Sequence, residues 1–317
     1  MQFPVRMFGA LVVFIFTACQ SFNTSSYSSA YNSASLRSES VGVIPTAAPV
    51  PDEPIQTAAL PANSAVRPLV RPRTPAPKPG CAAVCVMDAM TGQVLYEYNG
   101  NVRRQVASTQ KVLSALIILD AGRLSKTVTI AEEDTKAAPT KLGFKAGEKY
   151  RREDLLHALM VRSFNDVALA LARDTAGSVS NFVSRMNSKA RRLGMYNSHF
   201  VNPNGLPASQ YSTAVDMARC AWFAYRNPVL RRMVCDARYD FRLANGRIRT
   251  LANTNKLLSR YSWVTGFKTG YTNAAGKCLI STGGYNGRHV IVVVLGSTNA
   301  RIWDESAKYL KWALELA

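Results

Sequence analysis

Followed for its alternation of apolar and polar positions, the chain divides into three stretches. From Met7 to Phe16 the residues are apolar almost without interruption, and from Gln20 to Pro79 large apolar residues follow no regular period. From Cys81 onward both regular periods appear. Ala82 to Asp88 and Gln93 to Tyr98 are short β-rich runs separated by Met90-Thr91-Gly92, which predicts a hairpin. Between Thr109 and about Ala224 apolar residues recur three and four apart, in Val112 to Leu119, Leu155 to Leu171 and Phe182 to Leu193, the helical spacing. From Val264 strands return, as Val264 to Tyr271, Lys277 to Thr282 and His289 to Leu295 with Gly-rich turns, and a last helix runs from about Trp303. Strands at both ends of a region that encloses helices predict an α+β fold: one antiparallel sheet, a helical lobe, and a cleft between them.

The first stretch, residues 1–19, places Arg6 before the apolar run and small residues before Cys19. The run is too short to span a bilayer and sits where a signal-peptide core belongs. It resembles a bacterial lipoprotein signal, with cleavage before Cys19 freeing a thiol for lipid attachment, although Phe16 stands where Leu is usual. An ordinary secretory signal or an uncleaved anchor are the alternatives, and all three place the protein outside the cytoplasm, facing periplasm or cell wall. Residues 20–80 contain ten of the fifteen prolines and ten serines. Such a segment buries too little surface to offset its conformational entropy, which predicts a disordered tether, stiffer from Pro45 onward. Residues 81–317 then form the folded domain.

Charge sharpens this division. The chain carries a net +19, and residues 81–317 hold 33 basic against 17 acidic side chains, so +16 belongs to the folded part. In an exported protein that surplus suits anionic lipid headgroups or cell-wall polymers, or a generic solubilising surface, and not nucleic acid. With Cys19 set aside, five cysteines remain, at 81, 85, 220, 235 and 278, an odd number that leaves at least one thiol free. Cys81 and Cys85 are expected on one face of a strand, too far apart to bridge. No CxxC pair or His-rich spacing occurs, which predicts no metal site, and no cofactor motif is present.

Three short motifs follow one another in the last stretch. Ser108-Thr109-Gln110-Lys111 opens an apolar helix, where residues three apart share a face, so the Lys111 amine can reach the Ser108 hydroxyl. Ser163-Phe164-Asn165 follows an amphipathic run, and Lys268-Thr269-Gly270 lies in a strand. Singly, each has an ordinary structural explanation: Ser163 a helix-interior serine, Asn165 a turn residue, Lys268 a solvated lysine. Together SxxK, SxN and KTG, in this order, form the signature of penicillin-binding proteins and class A β-lactamases. Further stretches, among them Val86 to Leu95, Phe200 to Pro207, Tyr211 to Ala214 and Gly266 to Thr272, make residues 81–317 resemble the low-molecular-mass D-alanyl-D-alanine carboxypeptidases, serine peptidases of family S11. Phe164 departs from the family's usual Gly and is expected to shape the substrate cleft. The chain ends one helix after the last strand, so the C-terminal β-domain of some members is expected to be missing.

That resemblance implies a function and a set of roles. Ser108 would attack the D-Ala-D-Ala bond of a peptidoglycan stem peptide, with Lys111 as base and Ser163 relaying a proton. Asn165 would hold the substrate's amide, and the backbone N–H groups of Ser108 and Tyr271 would form the oxyanion hole. Lys268, Thr269 and Gly270, with Arg301, would receive the terminal carboxylate, and β-lactam antibiotics would trap Ser108 as an ester. None of His157, His199 and His289 lies near a motif, so Lys must serve as base, and burial beside a second cation such as Lys268 would lower its pKa to make that possible. No Glu occurs between Glu153 and Glu305, which argues against a class A β-lactamase. A D,D-endopeptidase cutting cross-links and a tethered non-catalytic wall-binding lipoprotein are the alternatives. For the final segment 301–317, packing of Ile302, Tyr309, Leu310 and Leu314 on the sheet is expected over membrane anchoring, because its charges balance.

Overall fold

A computed structural model of the chain describes residues 72–316. The expected export signal, the expected lipidation site at Cys19 and the expected tether up to residue 71 lie outside the described residues.

The chain enters the fold through the hairpin of β1 (Ala83–Asp88) and β2 (Val94–Tyr98), and a 3-10 turn (Ala107–Gln110) leads into α1 (Lys111–Asp120). A small sheet of β3 (Thr127–Thr129) and β4 (Lys149–Arg151) brackets the short α2 (Glu132–Thr135). The rest of the helical lobe is α3 (Arg152–Arg162), α4 (Asn165–Ala176), α5 (Val179–Arg192), α6 (Ala214–Tyr225) and α7 (Pro228–Cys235). After the hairpin β5 (Arg238–Arg242) and β6 (Ile248–Ala252), β7 (Val264–Thr272), β8 (Gly276–Tyr285) and β9 (Arg288–Ser297) complete the main sheet, and α8 (Ile302–Leu314) closes the chain. The sheet order is β2-β1-β9-β8-β7, antiparallel throughout, so strands from the two ends of the domain meet where β1 pairs β9.

β9 explains why its sequence reads as unbroken apolar residues. Val290, Val292 and Val294 join the core beneath α8, while Ile291, Val293 and Leu295 join the core beneath the helical lobe. A strand covered on both faces needs no polar alternation. On the α8 side Ile302, Tyr309, Leu310 and Leu314 are buried, as the sequence suggests. On the other side α1 is buried from Lys111 through Ile118 and meets α3, α4, α5 and α6. A helix apolar all round belongs in the middle of a lobe, and there it holds the Ser108 to Lys111 segment rigidly.

Three details differ from expectation. The hairpin β5–β6 adds strands beyond those expected, at a place where Tyr239, Phe241 and Leu243 alternate with polar residues ahead of Asn245-Gly246. β1 begins at Ala83, so Cys81 precedes the strand and packs with the α8-side core, whereas Cys85 lies in the lobe-side core. The two thiols are therefore not on one face, and neither forms a disulfide among the described residues. Finally, residues 73–80, counted with the tether by composition, lie along α8: Trp312 Nε1 donates to Thr74 O at 2.9 Å, Tyr309 Oη to Pro77 O at 3.1 Å, and Gly80 N to Glu305 Oε1 at 2.7 Å. Among the described residues no helix is long and apolar enough to cross a membrane.

Candidate active site

Ser108 stands in the 3-10 turn that feeds α1, half-buried, with Lys111 one turn on and fully enclosed. The Lys111 Nζ lies 2.8 Å from Ser108 Oγ, 2.8 Å from Asn165 Oδ1 and 2.6 Å from the main-chain oxygen of Asn204. The orientation of the Asn165 amide is fixed independently, because its Nδ2 donates to Ala138 O at 3.1 Å and Pro139 O at 2.8 Å, both pure acceptors. Two of the three amine partners therefore only accept. A neutral Lys111 can spend its two N–H bonds on them and turn its lone pair toward the Ser108 hydroxyl, which is what a base for that hydroxyl requires.

The electrostatics favour that neutral form. Burial, and next the charge of Lys268, push the Lys111 pKa well below its ordinary value, while Asp166 opposes the fall. Lys268, in β7, is 1% exposed and is lowered by burial to about 7, so it is no solvated strand lysine. Its one hydrogen bond among the described residues runs to Thr269 O at 3.3 Å, which leaves donors for an incoming acceptor.

Ser163 ends α3 in a left-handed conformation, φ 70°, uncommon for a residue with a Cβ. Its Oγ is buried without a hydrogen-bond partner among the described residues. A hydroxyl held in a strained conformation and left unsatisfied is the kind of departure that active sites retain. Asn165 then begins α4. Phe164 between them is 1% exposed in the core, with the Arg249 guanidinium 5.7 Å from its ring, so its side chain packs inward and does not line the cleft as expected.

KTG closes the site from the strand side. A Cβ on Gly270 would sit 2.9 Å from Ser108 N and 3.0 Å from Thr109 N, so glycine lets β7 lie directly against the backbone of the turn. Thr269 Oγ1 donates to Thr254 Oγ1 at 2.7 Å, and Tyr271 is exposed at the rim, its ring under Lys277 Nζ at 4.1 Å. Arg301 is exposed just after β9, whose Ser297 pairs with Lys277, the partner of Tyr271; it therefore lies at the same end of the sheet as KTG, without a side-chain partner among the described residues. The histidines are elsewhere: His157 stacks on Tyr239 at 3.7 Å, His289 bonds Tyr225, and His199 pairs with Tyr211 by backbone. Among the described residues no group of three or more His, Cys, Asp or Glu could hold a metal ion.

The turn Asn202 to Leu206 is the part of the site to which the sequence assigned no role. Asn204 O accepts from both Lys111 and Ser108, and Gln110 Nε2 secures the turn through Asn202 O at 2.6 Å. The Asn-Pro-Asn-Gly signal marks a turn, but a working main-chain carbonyl has no residue-type signature.

Comparison with known proteins agrees with this geometry. Residues 73–299 match the D-alanyl-D-alanine carboxypeptidase family, peptidase S11. The chain is 35% identical over 238 residues to D-alanyl-D-alanine carboxypeptidase DacB2 of Mycobacterium tuberculosis, covering 73% of this chain and 81% of that protein. To a D-alanyl-D-alanine endopeptidase of Escherichia coli it is 30% identical, with 74% and 80% covered. The crystal structure of a D-alanyl-D-alanine carboxypeptidase from M. tuberculosis superposes with a TM-score of 0.73 at 34% identity, covering 78% of this chain and 97% of that one. By fold, by sequence and by motif, the chain belongs to the S11 family of D-alanyl-D-alanine carboxypeptidases.

Proposed function

We propose that this protein trims peptidoglycan stem peptides as a serine D-Ala-D-Ala carboxypeptidase, through an acyl-enzyme on Ser108. The observation that carries the reading is the Lys111 amine at 2.8 Å from Ser108 Oγ with its other two partners both carbonyl oxygens. Ser108 Oγ attacks the carbonyl carbon of the terminal peptide bond and its proton passes to Lys111 Nζ. The oxyanion forms between the N–H groups of Ser108 and Tyr271. As the C–N bond breaks, the leaving amine takes a proton from Lys111 by way of Ser163 Oγ, and D-Ala departs. Water then attacks the ester, giving its proton to Lys111, and Ser108 Oγ recovers that proton as the acid leaves. Asn165 would hold the substrate's amide while continuing to orient Lys111. Lys268 and Thr269, with Arg301 at the rim, would take the terminal carboxylate, whose charge would draw the Lys268 pKa back up.

A second reading, D,D-endopeptidase, has support in the 30% identical E. coli relative of that name. Exported action at the envelope follows from the substrate, and a lipid on Cys19 would supply the anchor; mass spectrometry of membrane-extracted protein would reveal the acyl groups or their lack. The enzymatic reading is tested with fluorescent penicillin and a D-Ala-D-Ala pentapeptide, wild type against Ser108→Ala. Labelling and D-Ala release should both vanish in the variant; if they persist, the reading is wrong. A cross-linked muropeptide dimer in the same assay separates the two peptidase activities.

A further inference from the structure

Seven charged side chains are buried among the described residues, and four of them are paired. Asp134 lies 2.6 Å from Arg173, Arg152 2.6 Å from Asp174, Asp216 3.4 Å from Arg219 and Glu305 3.0 Å from Lys308. The three without an ion pair are Lys111, Lys268 and Asp166, two of them in the site and the third next to Asn165. An uncompensated buried charge is costly, so three such groups close together call for one account.

The bonds of Asp166 supply it. Its Oδ1 accepts from Leu142 N at 3.0 Å and Val167 N at 2.9 Å, and its Oδ2 from Gly143 N at 2.9 Å. Asn165 grips the same segment one residue earlier, with its N donating to Thr140 O at 2.8 Å and its Nδ2 to Ala138 O and Pro139 O. Asn165 and Asp166 thus both fasten residues 138–143 to the start of α4, and the carbonyls of that segment hold the Asn165 amide with Oδ1 toward Lys111. We propose that Asp166 is a positioning residue of the acyl-transfer site: it clamps the 138–143 segment against Asn165, so that Asn165 stays on Lys111, and it sets a negative charge close to that buried amine. The charged groups around it are consistent with this. Lys111 faces it from α1 and Lys268 faces Lys111 from β7; Arg249 of β6 donates to Leu142 O at 2.9 Å; and on α2, Glu133 and Asp134 are engaged by Arg173 of α4.

The proposal rests on Ser108 acylation assisted by neutral Lys111, and the test keeps the two apart. The full chain, as wild type, Asp166→Asn, Asp166→Glu and Ser108→Ala, is acylated with fluorescent penicillin across a pH series, with circular dichroism confirming the fold. Asp166→Asn removes the charge and sets an N–H donor against one of the three backbone donors. Its plateau rate should fall at least about tenfold through misplacement of Asn165, and the acid limb, which reports protonated Lys111, should move down by about one pH unit. Asp166→Glu keeps the charge but displaces the clamp, so its plateau should fall with the limb near its wild-type position. An unmoved limb in Asp166→Asn, or a wild-type plateau in either variant, overturns the proposal. If Asp166→Asn does not fold, Asp166→Glu decides: a wild-type plateau or a limb shifted toward acid rejects it. Labelling that survives in Ser108→Ala defeats the enzymatic reading instead.

Discussion

At the scale of single residues, the site is built from groups the fold would be more stable without. Lys268 gives the cleanest measure, because its ammonium has one long hydrogen bond and no carboxylate, whereas removing Lys111 would strand Asn165 Oδ1. Its folded-state pKa, about 7, lies below the ordinary 10.5, so between those values the unfolded chain holds a proton that the folded chain has shed. Stability therefore rises with pH through that window, and the penalty is fully present below it. Lys268→Met should raise the unfolding free energy at neutral pH by a few kcal/mol, with the advantage shrinking steadily toward pH 10.5, while penicillin acylation falls. Denaturant melts of both proteins at neutral and alkaline pH measure it; a difference that does not change with pH would show that Lys268 is not the buried neutral-leaning amine described.

At the scale of elements, Ser108 is held between two backbones that approach as closely as glycine permits. Gly270 lets β7 lie against the turn from one side, and Gly205, at φ +82°, brings the Asn202 to Leu206 turn against it from the other. A Cβ at Gly205 would lie 2.3 Å from Ala107 O, a clash with backbone that no rotamer relieves. Gly205→Ala should therefore push the turn away, taking Asn204 O off Lys111, and lower acylation by about two orders of magnitude. Rates within twofold of wild type would mean that this turn does not set the position of Ser108. Neither contact was legible in the sequence, since each is a main-chain proximity between segments far apart in the chain. What was legible is what side-chain pattern encodes. The Val290 to Leu295 run is apolar because both faces are covered, and Ser108 to Lys111 spacing survives because α1 is a core helix. The β5–β6 hairpin is encoded in side-chain pattern too, in Tyr239, Phe241 and Leu243 alternating with polar residues before Asn245-Gly246, although Phe241 and Leu251 alone of its strand positions are buried. Phe164 was legible as a departure but not as a core residue, because the turn from α3 into α4 decides which way it faces.

At the scale of the molecule, α8 has two jobs, and its heptad-like spacing shows both. Ile302, Leu310, Ala313 and Leu314 press into the core beneath the sheet, while Glu305, Lys308, Tyr309 and Trp312, at the i, i+3, i+4 and i+7 positions, hold the segment 74–80. Prolines at 75, 77 and 79 lack N–H groups, so that segment offers carbonyls and α8 supplies the donors: Trp312 to Thr74 O, Tyr309 to Pro77 O and Lys308 to Lys78 O at 2.6 Å. Among the described residues the segment donates only at Gly80, to Glu305, a carboxylate 5% exposed that also pairs with Lys308. The folded unit thus starts before Cys81, in step with the family match from residue 73. A chain shortened to begin at Cys81 should lose about 1 kcal/mol for each of these bonds and melt at a lower temperature than one beginning at Pro72. Acylation of Ser108 well below the melt should be equal in the two, because α8 and the active site lie on opposite faces of the sheet. Equal melting temperatures would return residues 73–80 to the tether; a shorter chain that melts early yet acylates normally would assign them to the domain as a structural strap. Trp312→Phe in the longer chain, which keeps the ring and removes the N–H, should reproduce a single bond's share of that loss.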